Sequence, residues 1–225
     1  MSLRRQMRSA GPLVSLWLAG AVVLFLAGVQ DDASLRLLFT DPAYATGQPW
    51  YLGLISNLGI LGWSVAVTAA VGGAWVAAQT NRPTAARFLI AGAAATAVLL
   101  FDDLFLIHST WIPRLGVSKV LAQLMVVAPA IGWLAAFRGE MRRSRWLLVV
   151  AALFAFGISL VVDRVVAPSD GASLVIEDSG KFMGILAWAL YFVLTVRDIS
   201  RSTIAAAMRR AAEPDNASVS EFEQV

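Results

Sequence analysis

Residues 146–166, WLLVVAALFAFGISLVVDRVV, decide the fold, since this stretch holds only two charged side chains, Asp163 and Arg164, both near its end. A helix needs about 20 apolar residues to cross the hydrocarbon core of a membrane. Comparable apolar blocks occupy residues 12–30, 50–78, 86–108, 118–137 and 173–196. The sequence therefore predicts an all-α integral membrane protein, a bundle of about six transmembrane helices.

The composition agrees with this class of protein. Hydrophobic residues make up 58% of the chain, whereas soluble domains are about half apolar. The absence of cysteine excludes disulfides, thiolate metal sites and cysteine nucleophiles. The net charge of +3 comes from basic residues in short loops beside apolar blocks, so we expect no nucleic-acid partner. We predict one transmembrane helical domain, 1–212, and an acidic disordered tail, 213–225.

Basic residues indicate the direction of the chain through the membrane. Arginines precede the first block, and Arg82 and Arg87 lie in the second loop. Four arginines crowd the fourth loop, and more follow the last block. Because basic loops stay in the cytoplasm, both termini are predicted to be cytoplasmic, in a cell membrane such as the bacterial inner membrane. We expect residues 197–212 to extend the last block as a basic amphipathic helix on the membrane surface.

Ionisable side chains within the predicted spans are few, and they gather in the outer third of the membrane. The third and fifth spans run outward and the sixth runs back, so their polar ends meet. The group comprises Asp102, Asp103, His108, Asp163, Arg164, Glu177, Asp178 and Lys181. Asn57 of the second span reaches the same level. Charged groups within a membrane are costly and are functional candidates by default.

The five carboxyls of this group outnumber its two permanent cations, Arg164 and Lys181. The surplus acids can pair with cations from loops, namely Arg36, Arg114 or Lys119. Alternatively they bind a cation, or one carboxyl stays protonated through desolvation and like-charge repulsion. A simpler interpretation is that helix-end ion pairs only hold the bundle together.

Acid–base catalysis by carboxyls on a lipid-like substrate, such as an isoprenoid, is our leading hypothesis. A carboxyl in an apolar pocket can be kept neutral and can protonate a weakly basic group. Aromatic faces then stabilise a developing cation. The predicted catalytic residues are Asp102, Asp103, Asp163, Glu177, Asp178 and Lys181. Substrate contacts are predicted for Asn57, Trp63, Phe105, Arg164, Trp188 and Tyr191. The predicted partner is a membrane lipid or a lipid-like small molecule.

Other functions remain open on the same residues. Asp103, His108, Asp163 and Glu177 are candidate ligands for a divalent cation such as Mg²⁺ or Ca²⁺, which would indicate a metal-dependent lipid hydrolase. Acid catalysis requires no cofactor. A cation-binding channel or transporter is a further alternative, although the inner halves of the spans hold almost no charge. The last alternative is a membrane scaffold without catalytic activity. The sequence does not predict an oligomeric state.

Two segments, FDDLFLIH at 101–108 and IEDSGKFMGI at 176–185, resemble parts of an uncharacterised family of bacterial multi-pass membrane proteins with a DDxxxxH segment. In that family an acidic residue follows the histidine, whereas Ser109 does so here. The resemblance covers spans three to six and implies no activity. More loosely, a small helical membrane protein with isolated acids is similar to the membrane-bound terpene cyclases. That similarity implies proton-initiated cyclisation or isomerisation of an isoprenoid.

Overall fold

The computed structural model describes residues 42–49, 51–165 and 171–212, together with a few positions between 18 and 29. The chain divides into two compact units, Met1–Leu54 and Ile55–Val225. The predicted tail, 213–225, lies outside the described residues, as does most of the predicted span 12–30. The tail, that span and the single transmembrane domain therefore stay predictions.

Every regular element of the described residues is a helix, which confirms the predicted all-α fold there. Within these residues, five helices are long and apolar enough to cross a membrane. They are α1 (Leu54–Gln79), α2 (Pro83–Phe105), α3 (Lys119–Ala136), α4 (Trp146–Val165) and α5 (Gly171–Ala212). Shorter helical pieces cover Pro42–Ala45, Ile107–Trp111, Ile112–Arg114 and Arg138–Arg143, of which Ile107–Trp111 is a π-helix.

Local chemistry explains where α2 begins and ends and where α3 begins. Pro83 lies in the first turn of α2, where a missing N–H is tolerated. The Ser118 hydroxyl caps α3 by accepting the N–H of Leu121 at 3.3 Å. The predicted continuation of the third span as one helix through His108 is wrong. Leu106 adopts left-handed backbone angles (φ 54°, ψ 42°), so α2 ends before it and the π-helix follows.

The helix α5 is longer than one membrane crossing requires. Its 42 residues extend about 63 Å at 1.5 Å per residue, which is twice the thickness of a hydrocarbon core. The predicted helical extension of the last span through residue 212 is confirmed. Its location on a membrane surface stays a prediction.

Aromatic rings fill the core between the helices. The core rings include those of Phe88, Trp133, Trp188, Tyr191 and Phe192. Trp133 lies at their centre, with centroid separations of 5.2 to 6.2 Å to the other four. The buried Trp188 indole donates to the Thr96 hydroxyl at 3.0 Å. The core therefore packs apolar surface without leaving that indole N–H unsatisfied.

Glycine allows α5 to approach the backbone of α4. A Cβ at Gly180 would lie 3.0 Å from the carbonyl oxygen of Ala155 and 3.2 Å from the backbone nitrogen of Ser159. A Cβ at Gly157 of α4 would meet no atom within 4 Å. Small residues are typical of close helix pairs in membranes. Gly180 therefore has a packing role that Gly157 lacks.

This difference gives a stability prediction. We expect Gly157→Ala to raise the melting temperature, because alanine is favoured over glycine within helices by about 1 kcal/mol. Gly180→Ala should lower it, because its methyl group must displace the α4 backbone. Thermal unfolding in detergent measures both variants. Equal melting temperatures for the two variants would contradict the close approach of α4 and α5.

Ion pairs and hydrogen bonds tie the helices together at opposite ends of the bundle. At the basic end, Arg145 Nε lies 2.7 Å from Asp198 Oδ2, and Arg82 donates to the Ser202 hydroxyl at 2.6 Å. The Asp198 carboxylate raises the pKa of Arg145 above its usual value, so this guanidinium stays charged. We call the opposite end, where α2 ends and α3 begins, the acidic end. The predicted cluster of carboxyls lies there.

Candidate functional site

Asp103, near the end of α2, joins three helices at the acidic end. Its Oδ1 lies 2.7 Å from Lys181 Nζ of α5, and its Oδ2 accepts a hydrogen bond from Trp63 Nε1 of α1 at 2.8 Å. The Asp103 side chain is 10% exposed, and that of Lys181 is 43% exposed. Each carboxylate oxygen therefore has its own donor, which fixes the orientation of the group.

The preceding residue, Asp102, makes a separate set of contacts. Its Oδ1 accepts the backbone N–H of His108 at 2.7 Å, and its Oδ2 lies 2.5 Å from His108 Nδ1. Successive residues of a helix point about 100° apart. The structure therefore assigns Asp102 and Asp103 to different contacts on different faces of α2, rather than to one shared pair.

A cavity of about 50 Å³ adjoins the Asp103–Lys181 pair, between α1, α2 and α5. A water molecule needs roughly 10–15 Å³ of such space, so the cavity has room for a few waters. Its polar walls include Asp178 beside the ion pair. The full lining comprises Ile55, Ser56, Gly59, Asp103, Asp178, Lys181, Phe182 and Ile185. The site is therefore a small polar space at the edge of an apolar bundle.

The other predicted acids lie at the same end of the bundle. Asp163 Oδ1 of α4 is 3.5 Å from Lys119 Nζ at the start of α3. Glu177 is partly buried and lies within electrostatic range of Asp163, Asp178 and both lysines. The sequence offers Lys119 as one of three loop cations for the surplus acids, and the structure pairs it with Asp163. Lysines at positions 119 and 181 thus neutralise two of the five carboxyls.

The candidate metal ligands are not gathered into one site. No three His, Asp or Glu side chains of the described residues lie close enough together to hold one metal ion. Asp103 faces Lys181, whereas His108 faces Asp102. Asp163 faces Lys119. The described part of the chain therefore does not present Asp103, His108, Asp163 and Glu177 as a common set of ligands.

The predicted substrate-binding residues have different environments. Trp63 is buried and takes part in the site through its bond to Asp103. Trp188 is buried against Thr96, and the buried Tyr191 hydroxyl lies 2.9 Å from the Ser144 hydroxyl. Phe105 is exposed and stacks on Phe101, and Asn57 is exposed on α1. The side chain of Arg164 lies outside what the structure describes. Of the predicted aromatics, only Trp63 contacts the ion pair.

Five residues of the cavity wall were not predicted from the sequence, namely Ile55, Ser56, Gly59, Phe182 and Ile185. Ser56 and Ile55 precede the predicted Asn57, and Phe182 follows Lys181. The predicted residues close to them in the sequence indicated the right part of each helix, but not these side chains. The rotation of α1 and α5 about their axes decides which neighbour faces inward, and an almost uniformly apolar helix does not reveal that rotation.

The fold and the site define a multi-pass helical membrane protein with a largely buried carboxylate–lysine pair at one end of its bundle. The chain belongs to a family described as a domain of unknown function, DUF8692, which matches residues 15–195. No curated protein and no solved structure matches the chain.

Proposed function

We propose that this protein is a membrane enzyme that performs carboxyl acid–base chemistry on a lipid-like substrate at its acidic end. One observation carries the proposal. The Asp103 carboxylate is largely buried, faces a single ammonium group and forms part of a cavity wall. The pair therefore presents an oriented carboxyl group to a space that the reacting end of a substrate can enter.

Each residue of this contact has a distinct proposed role. Asp103 exchanges a proton with the substrate, and Lys181 is the cation that favours its ionised form. Lys181 has the more exposed side chain of the pair, so it has room to move away when a substrate enters. Asp103 would then bind a proton and become a donor. Asp178, on the same cavity wall, would accept a proton from the substrate, so an isomerisation would need no net supply of protons.

The small cavity limits what enters the site. Pockets for whole drug-sized ligands measure about 300–1,000 Å³, far more than the 50 Å³ found here. We therefore propose that only the reacting end of the substrate enters and that the cavity widens around it. Exposed apolar side chains, Ile55 on the wall and Met183 of α5, would contact the rest of a long apolar chain. This arrangement suits a substrate that arrives from within the membrane.

The specific form of the proposal is proton-initiated cyclisation or isomerisation of an isoprenoid, as in membrane-bound terpene cyclases. It places the protein in a cell membrane such as the bacterial inner membrane, with both termini in the cytoplasm. The arginines at the basic end support that orientation, because basic loops remain on the cytoplasmic side. The acidic end then lies near the outer face. No contact in the described residues favours metal-dependent hydrolysis or cation transport over this reaction.

Conversion of isoprenoids by the reconstituted protein tests the proposal. Wild-type protein in lipid nanodiscs is incubated with polyprenyl alcohols and prenylated quinols, and products of unchanged mass are sought by chromatography and mass spectrometry. We expect an isomer that protein-free nanodiscs do not produce. Asp198→Asn, which alters only exposed ion pairs with Arg145 and Arg197 at the basic end, should give the same product. Absence of any isomer across the set would count against isoprenoid chemistry.

A further inference from the structure

His108, the one histidine of the sequence, forms a second polar site at the acidic end. It lies on the π-helix Ile107–Trp111, just after the break at Leu106. The Asp102 carboxylate contacts both the backbone N–H and the ring nitrogen Nδ1 of His108. The Asp102 side chain is 7% exposed and the His108 side chain is 20% exposed. The carboxylate is therefore buried behind a ring that remains partly accessible.

The break in α2 is what makes this contact possible. On a continuous α-helix, residues six apart would point about 120° away from each other, and only residues three or four apart are neighbours. Leu106 has a positive φ of 54°, a conformation that non-glycine residues rarely adopt. The π-helix that follows is also a rare element, found frequently at functional sites. Two unusual backbone features thus bring His108 onto Asp102.

The Asp102 contact determines which ring nitrogen carries hydrogen. An ionised carboxylate only accepts hydrogen bonds, so Nδ1 must donate to Oδ2. In the neutral ring, Nε2 then keeps its lone pair. No hydrogen bond to Nε2 is formed within the part of the chain that the structure describes. The pair therefore holds an oriented imidazole that is partly exposed and whose lone pair lies on Nε2.

We propose that the Asp102–His108 pair is a second reactive site, a general base for the hydrolysis of acyl esters, independent of the proposed isoprenoid chemistry at Asp103. Nε2 takes a proton from a water molecule as the water oxygen bonds to the ester carbonyl carbon. The ester C–O bond then breaks, and the leaving alkoxide takes that proton from Nε2. The products are a carboxylic acid and an alcohol, and the imidazole is regenerated. Asp102 stabilises the transient imidazolium and fixes the ring.

Hydrolysis of chromogenic esters tests this proposal directly. The protein in nanodiscs is given p-nitrophenyl acetate, which is water-soluble, or p-nitrophenyl laurate, which partitions into membranes. We expect wild type and Asp198→Asn to hydrolyse at least one ester faster than protein-free nanodiscs. His108→Gln can still donate to Asp102, and it should lower the protein-dependent rate at least about tenfold. Equal rates for wild type and His108→Gln would overturn the proposal. The better of the two esters identifies a soluble or a membrane source.

A spectroscopic measurement separates this role from simple capping of the π-helix. Because the chain has one histidine, protein labelled with nitrogen-15 histidine gives the signals of a single ring. At mildly alkaline pH, we expect the proton on Nδ1 and a bare Nε2 in wild type. In Asp102→Asn, the amide oxygen accepts the backbone N–H and the amide NH₂ faces Nδ1, so the proton should move to Nε2. Ester hydrolysis should fall with it, whereas a wild-type ring protonated on Nε2 would overturn the proposal.

Discussion

Asp103→Asn is expected to abolish conversion of a lipid-like substrate while leaving the protein folded. The substitution keeps the shape of the side chain but removes the group that exchanges a proton. Positioned acid–base groups contribute about 10²–10⁴-fold to reaction rates, so the rate of conversion should fall at least about 100-fold. The folded state should persist, because the amide oxygen can still accept the Trp63 indole N–H. Lys181, being partly exposed, can reach water instead.

Two matched variants make this measurement specific to the carboxyl. Trp63→Phe keeps an aromatic ring but removes the indole N–H that orients Asp103, so a smaller decrease in rate is expected. Asp198→Asn removes a carboxylate at the basic end and should convert substrate at the wild-type rate. Substrate conversion is followed by mass spectrometry, and folding by thermal unfolding in detergent. Full turnover by a folded Asp103→Asn protein would show that Asp103 is not the reacting acid.

The membrane-spanning helices could be predicted because lipid imposes a simple rule on the sequence. A segment that crosses the hydrocarbon core must be helical and almost free of charge for about 20 residues. The long apolar runs therefore predict α1 to α5 to within a few residues at most boundaries. The break that ends α2 was not predicted, because no glycine or proline marks it at Leu106. The local contacts between Asp102 and His108 accompany that break, and periodicity does not reveal them.

The site could be predicted in location but not in its pairings. The charges within the spans identify the acidic end, because few polar groups occur elsewhere in those helices. Helical spacing also places Lys181, Trp188 and Tyr191 on one face of α5. Spacing does not show how deep in the bundle each residue lies, and in the structure Trp188 and Tyr191 belong to the core. Neither does it show which of Asp102 and Asp103 faces α5, since adjacent residues differ only by helix rotation.

Lys181→Met should destabilise the protein markedly, because it leaves the Asp103 carboxylate largely buried without its cation. Removing one partner of a fully buried ion pair costs about 3–5 kcal/mol. Lys181 is 43% exposed, so part of its charge is already screened, and we expect a loss of about 2–3 kcal/mol. Lys119→Met is the matched control. Its side chain is 54% exposed and lies 3.5 Å from Asp163, so a loss below about 1 kcal/mol is expected. Equilibrium unfolding in mixed detergent measures both variants.

The double variant Asp103→Asn/Lys181→Met separates the effect of charge from that of packing. If the destabilisation by Lys181→Met comes from an unpaired carboxylate, replacing that carboxylate with a neutral amide should recover most of the lost stability. The two substitutions would then be strongly non-additive, as expected for residues in direct contact. If the loss comes instead from packing of the lysine stem, the double variant should be no more stable than Lys181→Met. A double variant that regains stability but not turnover would assign the ion pair a structural role and a catalytic role. The folded bundle requires only that the buried charge be balanced, whereas the proposed reaction requires the Asp103 carboxyl itself.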